Sequence, residues 1–401
     1  MSQNLKTLTL VHMSTVAETL EFINGQSSYM KERGFEIHAI ASPSELLIQF
    51  GDREQITVHS VNMPRQITPL KDLYALFHLR QHLRQIRPQI IHAYSPKGGL
   101  LGMISAWLAG VPVRIYHIYG LPLMTAVGYK RSLLWLSEKI SCLLANQVLC
   151  VSHSIREVAI SENLCPQSKI KVLLKGGVTG VDAANHFNKA NLGTDVRFAT
   201  RKQYDIPANA LVVGFVGRIV RDKGLAELVG AWKILSSEFP NLHLLVVGPF
   251  EPQDPVPEDV EYTLKNDPRI HLTGRRSHIS PLYTAMDIFA LPTYREGLST
   301  VILEAAAMEL PVVATRIPGC IDAMQEGVTG SLVPPHDAKA LADAIRTYLQ
   351  NSKLRHQHGQ AGRELILRDF LPEAMCKVIY QEYIRLLTKK RLLPAMKILF
   401  E

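Results

Sequence analysis

The stretch YREGLSTVILEAAAMELPVVAT, Tyr294 to Thr315, decides the fold of this 401-residue chain. An apolar run, Asp287 to Leu291, precedes it and stops at Pro292, as a buried strand does. Gly297 opens a segment rich in Leu, Ile and Ala, which predicts a helix from about Ser299 to Glu309. Pro311 ends that helix, and Val312 to Thr315 resumes a strand. Strand, loop, helix and strand make the repeating unit of a parallel sheet. The loop and helix start are expected to present free N–H groups at Leu298, Ser299 and Thr300, with a positive dipole end behind them. Such a place binds anions, phosphate above all.

Glu296 and Glu304 frame that site. A carboxylate beside a phosphate would repel it, so each Glu is better placed to accept hydrogen bonds from sugar or ribose hydroxyls. The plainer alternative makes Glu296 a first-turn acid and Glu304 a solvated helix residue. Glu304, however, lies between Val301-Ile302-Leu303 and Ala305-Ala306-Ala307, where an unpaired carboxylate is costly. That favours a ligand or a fixed partner. Upstream, the strand Leu211 to Val216 runs into Gly217-Arg218-Ile219-Val220-Arg221-Asp222-Lys223-Gly224 and then a helix. Arg218 and Lys223 straddle a strand-to-helix loop, where parallel sheets bind ligands, and offer a fork and a point charge to a diphosphate.

The first half opens as a second doubly wound unit. Leu8 to His12 reads as a strand, Ala17 to Arg33 as a helix ended by Gly34, and Phe35 to Ile40 as the next strand. No Gly-x-Gly-x-x-Gly follows the first strand; the loop there holds Ser14 and Thr15. After the strand Gln89 to Tyr94, Lys97 and Gly98 begin a helix and either receive an anion or form a plain turn. Val113 to Tyr119 is another strand, with His117 and Tyr119 near its end. The helix from Gly128 to Val148 starts basic and turns strongly apolar, so it lies on a membrane surface or in the core. A last helix from Leu371 to about Leu387 leads to an apolar end, LLPAMKILF, that packs or touches lipid.

Bulk properties narrow the function. This length calls for two domains, and no apolar run is long enough to span a membrane. The N-terminal residues read as a first strand rather than a signal peptide. Five cysteines without a Cys-x-x-Cys pair point to a reducing cytosol and away from structural zinc. The net charge is +8, and residues 1–185 carry 18 Lys/Arg against 12 Asp/Glu. With no zinc finger, RNP-like segment or aromatic–basic ladder, nucleic acid is not the expected partner; an anionic membrane or lipid phosphate is.

EGLSTVILEAAA, with Glu296 and Glu304, resembles the Glu–x7–Glu motif of the family-four retaining glycosyltransferases of the GT-B fold, and GRIVRDKG resembles that family's donor-phosphate segment. The turn KGGVTGVDAANHF is similar to the family's inter-domain turn. The resemblance implies an α/β chain of two Rossmann-like parallel-sheet domains facing a central cleft, the last helix crossing back to the first domain. On this reading residues 1–185 and 372–401 form the acceptor domain, 186–204 a linker and 205–371 the donor domain. It implies transfer of a hexose, with retention, from a nucleotide-diphospho-sugar (a UDP-sugar) to a glycan or polyprenyl-linked acceptor in cell-surface polysaccharide synthesis. The expected location is the cytoplasm, peripheral at the membrane's inner face.

Arg218 and Lys223 would neutralise the departing diphosphate, Glu296 hold the hexose, Gly297 to Thr300 the phosphates, Glu304 the ribose, and Arg276 the base. No metal and no further cofactor is expected, and the sequence holds no Asp-x-Asp pair. The family commonly has two glycines where Ser14 and Thr15 stand, and a His where Tyr119 stands. His117, two residues earlier on the same strand face, is the substitute candidate for catalysis. A nucleotide-sugar epimerase of the same architecture, or a non-catalytic sugar-nucleotide sensor, would share the donor residues.

Overall fold

A computed structural model describes residues 8–64, 66 and 68–393. The chain divides into two compact units, Met1–Thr179 with Pro372–Glu401, and Gly180–Leu371. The first is built on seven strands: β1 (Leu8–Met13), β2 (Phe35–Ala41), β3 (Thr57–Ser60), β4 (Ile90–Tyr94), β5 (Val113–Ile118), β6 (Gln147–Cys150) and β7 (Ile170–Lys171). They pair in the order β3-β2-β1-β4-β5-β6-β7, every pair parallel. The second unit holds β8 (Leu211–Val216), β9 (Leu242–Val247), β10 (Ile270–Leu272), β11 (Ile288–Leu291), β12 (Val312–Thr315) and β13 (Gly330–Val333). Their order is β10-β9-β8-β11-β12-β13, again all parallel.

These strands are near-continuous apolar runs because helices cover both faces of a parallel sheet. Every residue of β4, β9, β11 and β12 is buried. In each unit the chain builds outward from the first strand, then returns to that strand's other side. Order therefore reverses between β1 and β4 and between β8 and β11, leaving a crevice at the carboxyl ends of those strands.

The last helix, Pro372–Lys389, returns to the first unit as expected. Its Met375, Ile379, Tyr383 and Leu387 bury against Leu10, Ile37, Ile90 and Ile115 on one side of the first sheet. The apolar end of the chain lies, from residue 394, outside the described residues.

Several expectations change. The helix expected to run from Gly128 to Val148 ends at Leu144, and Gln147 and Val148 belong to β6. The single helix over residues 17–33 is broken into Ala17–Leu20, a 3-10 turn at Glu21–Ile23, and Gln26–Lys31. Gly25, at φ +78°, takes the left-handed conformation that stops a helix. The stretch 186–204, expected as a linker, carries the helix Val196–Gln203 and belongs to the second unit. Arg201 anchors it, donating to the carbonyls of Ala208, Ala210 and Ala285 and pairing with Asp287 at 2.9 Å. The helix over residues 299–309 spans only Thr300–Ala307.

Candidate active site

Four loops close on one another at the carboxyl ends of β8, β9, β11 and β12. Gly224 has φ +68°, and a Cβ there would sit 1.9 Å from the Pro292 carbonyl oxygen, so the β8 and β11 loops touch backbone to backbone. A Cβ on Gly248 would fall 1.9 Å from the Gly217 oxygen, bringing in the β9 loop. One on Gly319 would lie 2.6 Å from the Gly297 oxygen, bringing in the β12 loop. Only glycine allows such close approach at these φ values.

Polar contacts then lock the β8 and β11 loops in register. Asp222 pairs with Arg295 at 2.6 Å, and its carbonyl accepts from the Tyr294 N–H at 2.8 Å and the Thr293 hydroxyl at 3.0 Å. Tyr294 also donates to Glu227 and packs against the His336 ring, tilted by 34° with ring centroids 3.9 Å apart. Held on these loops, the Lys223 ammonium meets the Glu296 carboxylate at 2.5 Å, with side chains 18% and 12% exposed. Arg218, on the same loop as Lys223, is exposed and pairs with no described residue. One cation is thus held by an acid and the other stands open.

The Thr300–Ala307 helix begins beside them. Ser299 is its N-cap, yet the Ser299 hydroxyl oxygen is buried with no partner among the described residues. An orphaned hydroxyl at a helix N-terminus suits a ligand oxygen. The expectation of three free N–H groups needs correction: the Ser299 N–H donates to the Gly319 carbonyl at 3.4 Å. Leu298 and Thr300 keep theirs free of any described backbone acceptor. On the helix, Glu304 accepts from the Tyr283 hydroxyl at 2.8 Å. Burial pushes its carboxyl up to about 7, the Tyr283 hydrogen bond opposing the rise. Sequence reasoning missed Tyr283, Asp222, Arg295 and Glu227. Asp222 and Arg295 each adjoin a singled-out residue, but nothing in the sequence joins them.

Arg276 is exposed, its guanidinium 5.9 Å from the centre of the Tyr204 ring, after the edge strand β10. The structure gives it an aromatic neighbour and no contact with the other four.

In the first unit, Ser14, Thr15 and Gly98 meet at the crevice between β1 and β4. A Cβ on Gly98 would lie 3.1 Å from the Thr15 nitrogen and the Ser95 oxygen. The Ser14, Ser95 and Tyr119 hydroxyls there are buried without described partners. Two expectations are corrected. Lys97 is not an open anion receptor, because its ammonium pairs with Asp72 at 2.6 Å and meets the Pro64 and Gln66 carbonyls at 2.5 Å. His117 is a core residue, stacked on His92 with ring nitrogens 3.2 Å apart, and burial lowers it to about 3. His92 in turn bonds the Tyr383 hydroxyl at 2.7 Å, tying the returning helix to the sheet.

Two doubly wound units, with the last helix returned to the first and a charged crevice at the second sheet's switch point, define the GT-B class. The family model "Glycosyl transferase 4-like domain" matches residues 21–176 and "Glycosyl transferases group 1" matches residues 210–351. The capsular polysaccharide biosynthesis glycosyltransferase CapM of Staphylococcus aureus is 32% identical over 379 residues, covering 94% of this chain and 97% of its own. The chain belongs to this family of GT-B glycosyltransferases.

The Escherichia coli UDP-Gal:alpha-D-GlcNAc-diphosphoundecaprenol alpha-1,3-galactosyltransferase is 27% identical over 319 residues, 78% of this chain and 79% of that one. Among solved structures, Anabaena Alr3699/HepE in complex with UDP and glucose superposes with TM-score 0.76 at 19% identity, covering 94% of this chain and 99% of that one. A Rickettsia africae glycosyltransferase superposes with the same TM-score, 0.76, at 21% identity, over 95% and 99%. These two likenesses establish the fold.

Proposed function

We propose that the protein moves a hexose from a UDP-sugar to a polyprenyl-diphosphate-linked glycan, with retention and without a required metal, in cell-surface polysaccharide synthesis. The carrying observation is the Lys223–Glu296 pair beside the open Arg218 at the switch point. Relatives support the substrates: one is named for capsule synthesis, another for UDP-galactose and a diphosphoundecaprenol acceptor.

On donor binding, the diphosphate takes Lys223 and the hexose hydroxyls take Glu296, so the pair exchanges one partner each. Arg218, Lys223, the Ser299 hydroxyl and the start of the Thr300–Ala307 helix then gather the charge that grows as the C1–oxygen bond breaks. Glu304 accepts from the ribose. No carboxylate is assigned as a glycosyl nucleophile, so the acceptor oxygen bonds C1 on the face the diphosphate leaves. The departing phosphate oxygen is the base at hand for the acceptor proton. The first unit holds the acceptor with Ser14, Thr15, Gly98 and Tyr119. Among the described residues no helix is long and apolar enough to cross a membrane. The lipid-linked acceptor named for one relative and the basic first unit support peripheral contact with an anionic membrane surface.

Purified protein given a panel of UDP-hexoses and a short-chain polyprenyl-diphosphate glycan tests this. We expect UDP release and an axially linked product, undiminished by EDTA. An inverted linkage, or activity that EDTA abolishes and a divalent cation restores, contradicts the reading. An epimer formed from the donor alone would favour the epimerase.

A further inference from the structure

The first unit carries an apolar, basic face that the reaction does not use. On the helix Pro69–Ile86, Leu70, Leu73, Tyr74 and Phe77 are 86%, 66%, 64% and 59% exposed. Their spacing puts them on one face, and Ala75, Leu79 and Leu83 turn the opposite face into the core. Leu76 and Ile86 pack partly against that core, which leaves Leu70, Leu73, Tyr74 and Phe77 outside it. The helix Pro96–Ala109 packs alongside and ends in the exposed Trp107 and Leu108; Arg80 donates to the Leu108 carbonyl at 3.3 Å. Beyond it, the helix Gly128–Leu144 exposes Tyr129, Leu136 and Leu143, one every two turns. An exposed apolar surface spread over three adjacent helices marks an interaction site.

The exposed charges on these helices that have no described partner share one sign. Their only acids are Asp72, which pairs with Lys97, and Glu138, which is buried against the Tyr116 hydroxyl at 2.7 Å. Glu162, reaching in from the end of the neighbouring helix His153–Ser161, is taken by Arg131 at 2.6 Å. Lys71, Arg84 and Lys130 remain exposed without described partners. A second copy of the chain would set these cations against their own kind. An anionic bilayer accepts both the apolar row and the charge.

We infer that the outer face of the helices Pro69–Ile86, Pro96–Ala109 and Gly128–Leu144 docks on an anionic phospholipid surface, with the row Leu70, Leu73, Tyr74 and Phe77 inserted. This rests on the membrane contact proposed above and places it on a three-helix face centred on residues 70–77.

The test is co-sedimentation with phosphatidylcholine vesicles with and without phosphatidylglycerol. Wild-type protein binds the anionic vesicles and is released as salt rises. Leu73→Ser/Phe77→Ser lowers partitioning about tenfold or more, and Arg84→Glu about fivefold or more. Tyr262→Ser, an exposed position on the second unit, changes nothing. UDP-induced thermal stabilisation, retained in every variant, shows that each is folded. Wild-type protein that ignores anionic vesicles overturns the membrane reading itself. Wild-type binding that Leu73→Ser/Phe77→Ser leaves intact overturns this face alone. A dimer dissolved by that variant, with no vesicle binding, gives the face to a second copy instead.

Discussion

Arg218→Ala lowers kcat by about a hundred- to a thousandfold and leaves the melting temperature essentially unmoved. The first half of that outcome follows from the role proposed for Arg218, a cation facing charge that develops in the transition state. The second follows from exposure: Arg218 has no described partner to leave behind. Lys223→Ala behaves differently. It removes a comparable share of the rate but also strands Glu296, a carboxylate only 12% exposed, so stability falls by about 1–3 kcal/mol. Adding Glu296→Gln to Lys223→Ala recovers part of that stability and none of the activity. Steady-state kinetics and thermal denaturation of the four proteins check both statements. Arg218→Ala with unchanged turnover would remove it from the chemistry.

UDP affinity falls about tenfold per pH unit as pH drops below 7. The sign follows from Glu304. In the proposed binding mode ribose hydroxyls donate to the ionised carboxylate, whereas burial keeps the empty site's carboxyl protonated up to about 7. Binding below that pH must expel a proton. Stability of the ligand-free protein runs the other way. A carboxyl raised from 4.5 to about 7 on folding contributes stability that is fully present below 4.5 and lost as pH rises through about 7. The thermal stabilisation by UDP therefore grows with pH across that window. Glu304→Gln flattens both trends. Tyr283→Phe moves them to higher pH, because the Tyr283 hydrogen bond favours the charged form. Calorimetric titration of UDP in buffers of different ionisation enthalpy reads the proton release directly. A pH-independent affinity would remove Glu304 from the ribose.

Much of the fold was legible because parallel strands announce themselves as short apolar runs stopped by Gly or Pro. β12 falls on the expected Val312 to Thr315, and the last helix, expected from Leu371 to about Leu387, spans Pro372–Lys389. Within the donor crevice, Glu304 drew attention because an acid amid Val, Ile, Leu and Ala must have a partner. What could not be read was which residue supplies it, since Tyr283 stands 21 positions away. The pairing of Lys223 with Glu296 spans 73 positions and exists only once β8 and β11 lie side by side.

The same limit explains the corrections. His117 is singled out in the sequence only by its place two residues before Tyr119, where the family commonly has a His. Strand register aligns His12 with His92 and Tyr94 with His117, making it one member of a buried row. Of the two readings open for Lys97, anion receptor or plain turn, the first fails because Asp72, from the preceding helix, reaches its ammonium. Asn24-Gly25, by contrast, was a turn signal in plain view, and an apolar pattern long enough to span it hid the break.

A crystal structure with bound UDP tests most directly the proposed seat of the donor diphosphate at the switch point of the second sheet. The expected result is phosphate oxygens within hydrogen-bonding distance of Arg218, Lys223 and the Ser299 hydroxyl, the Lys223–Glu296 contact opened, and ribose hydroxyls on Glu304. UDP bound elsewhere, with Lys223 still on Glu296 and the Ser299 hydroxyl still alone, would contradict it.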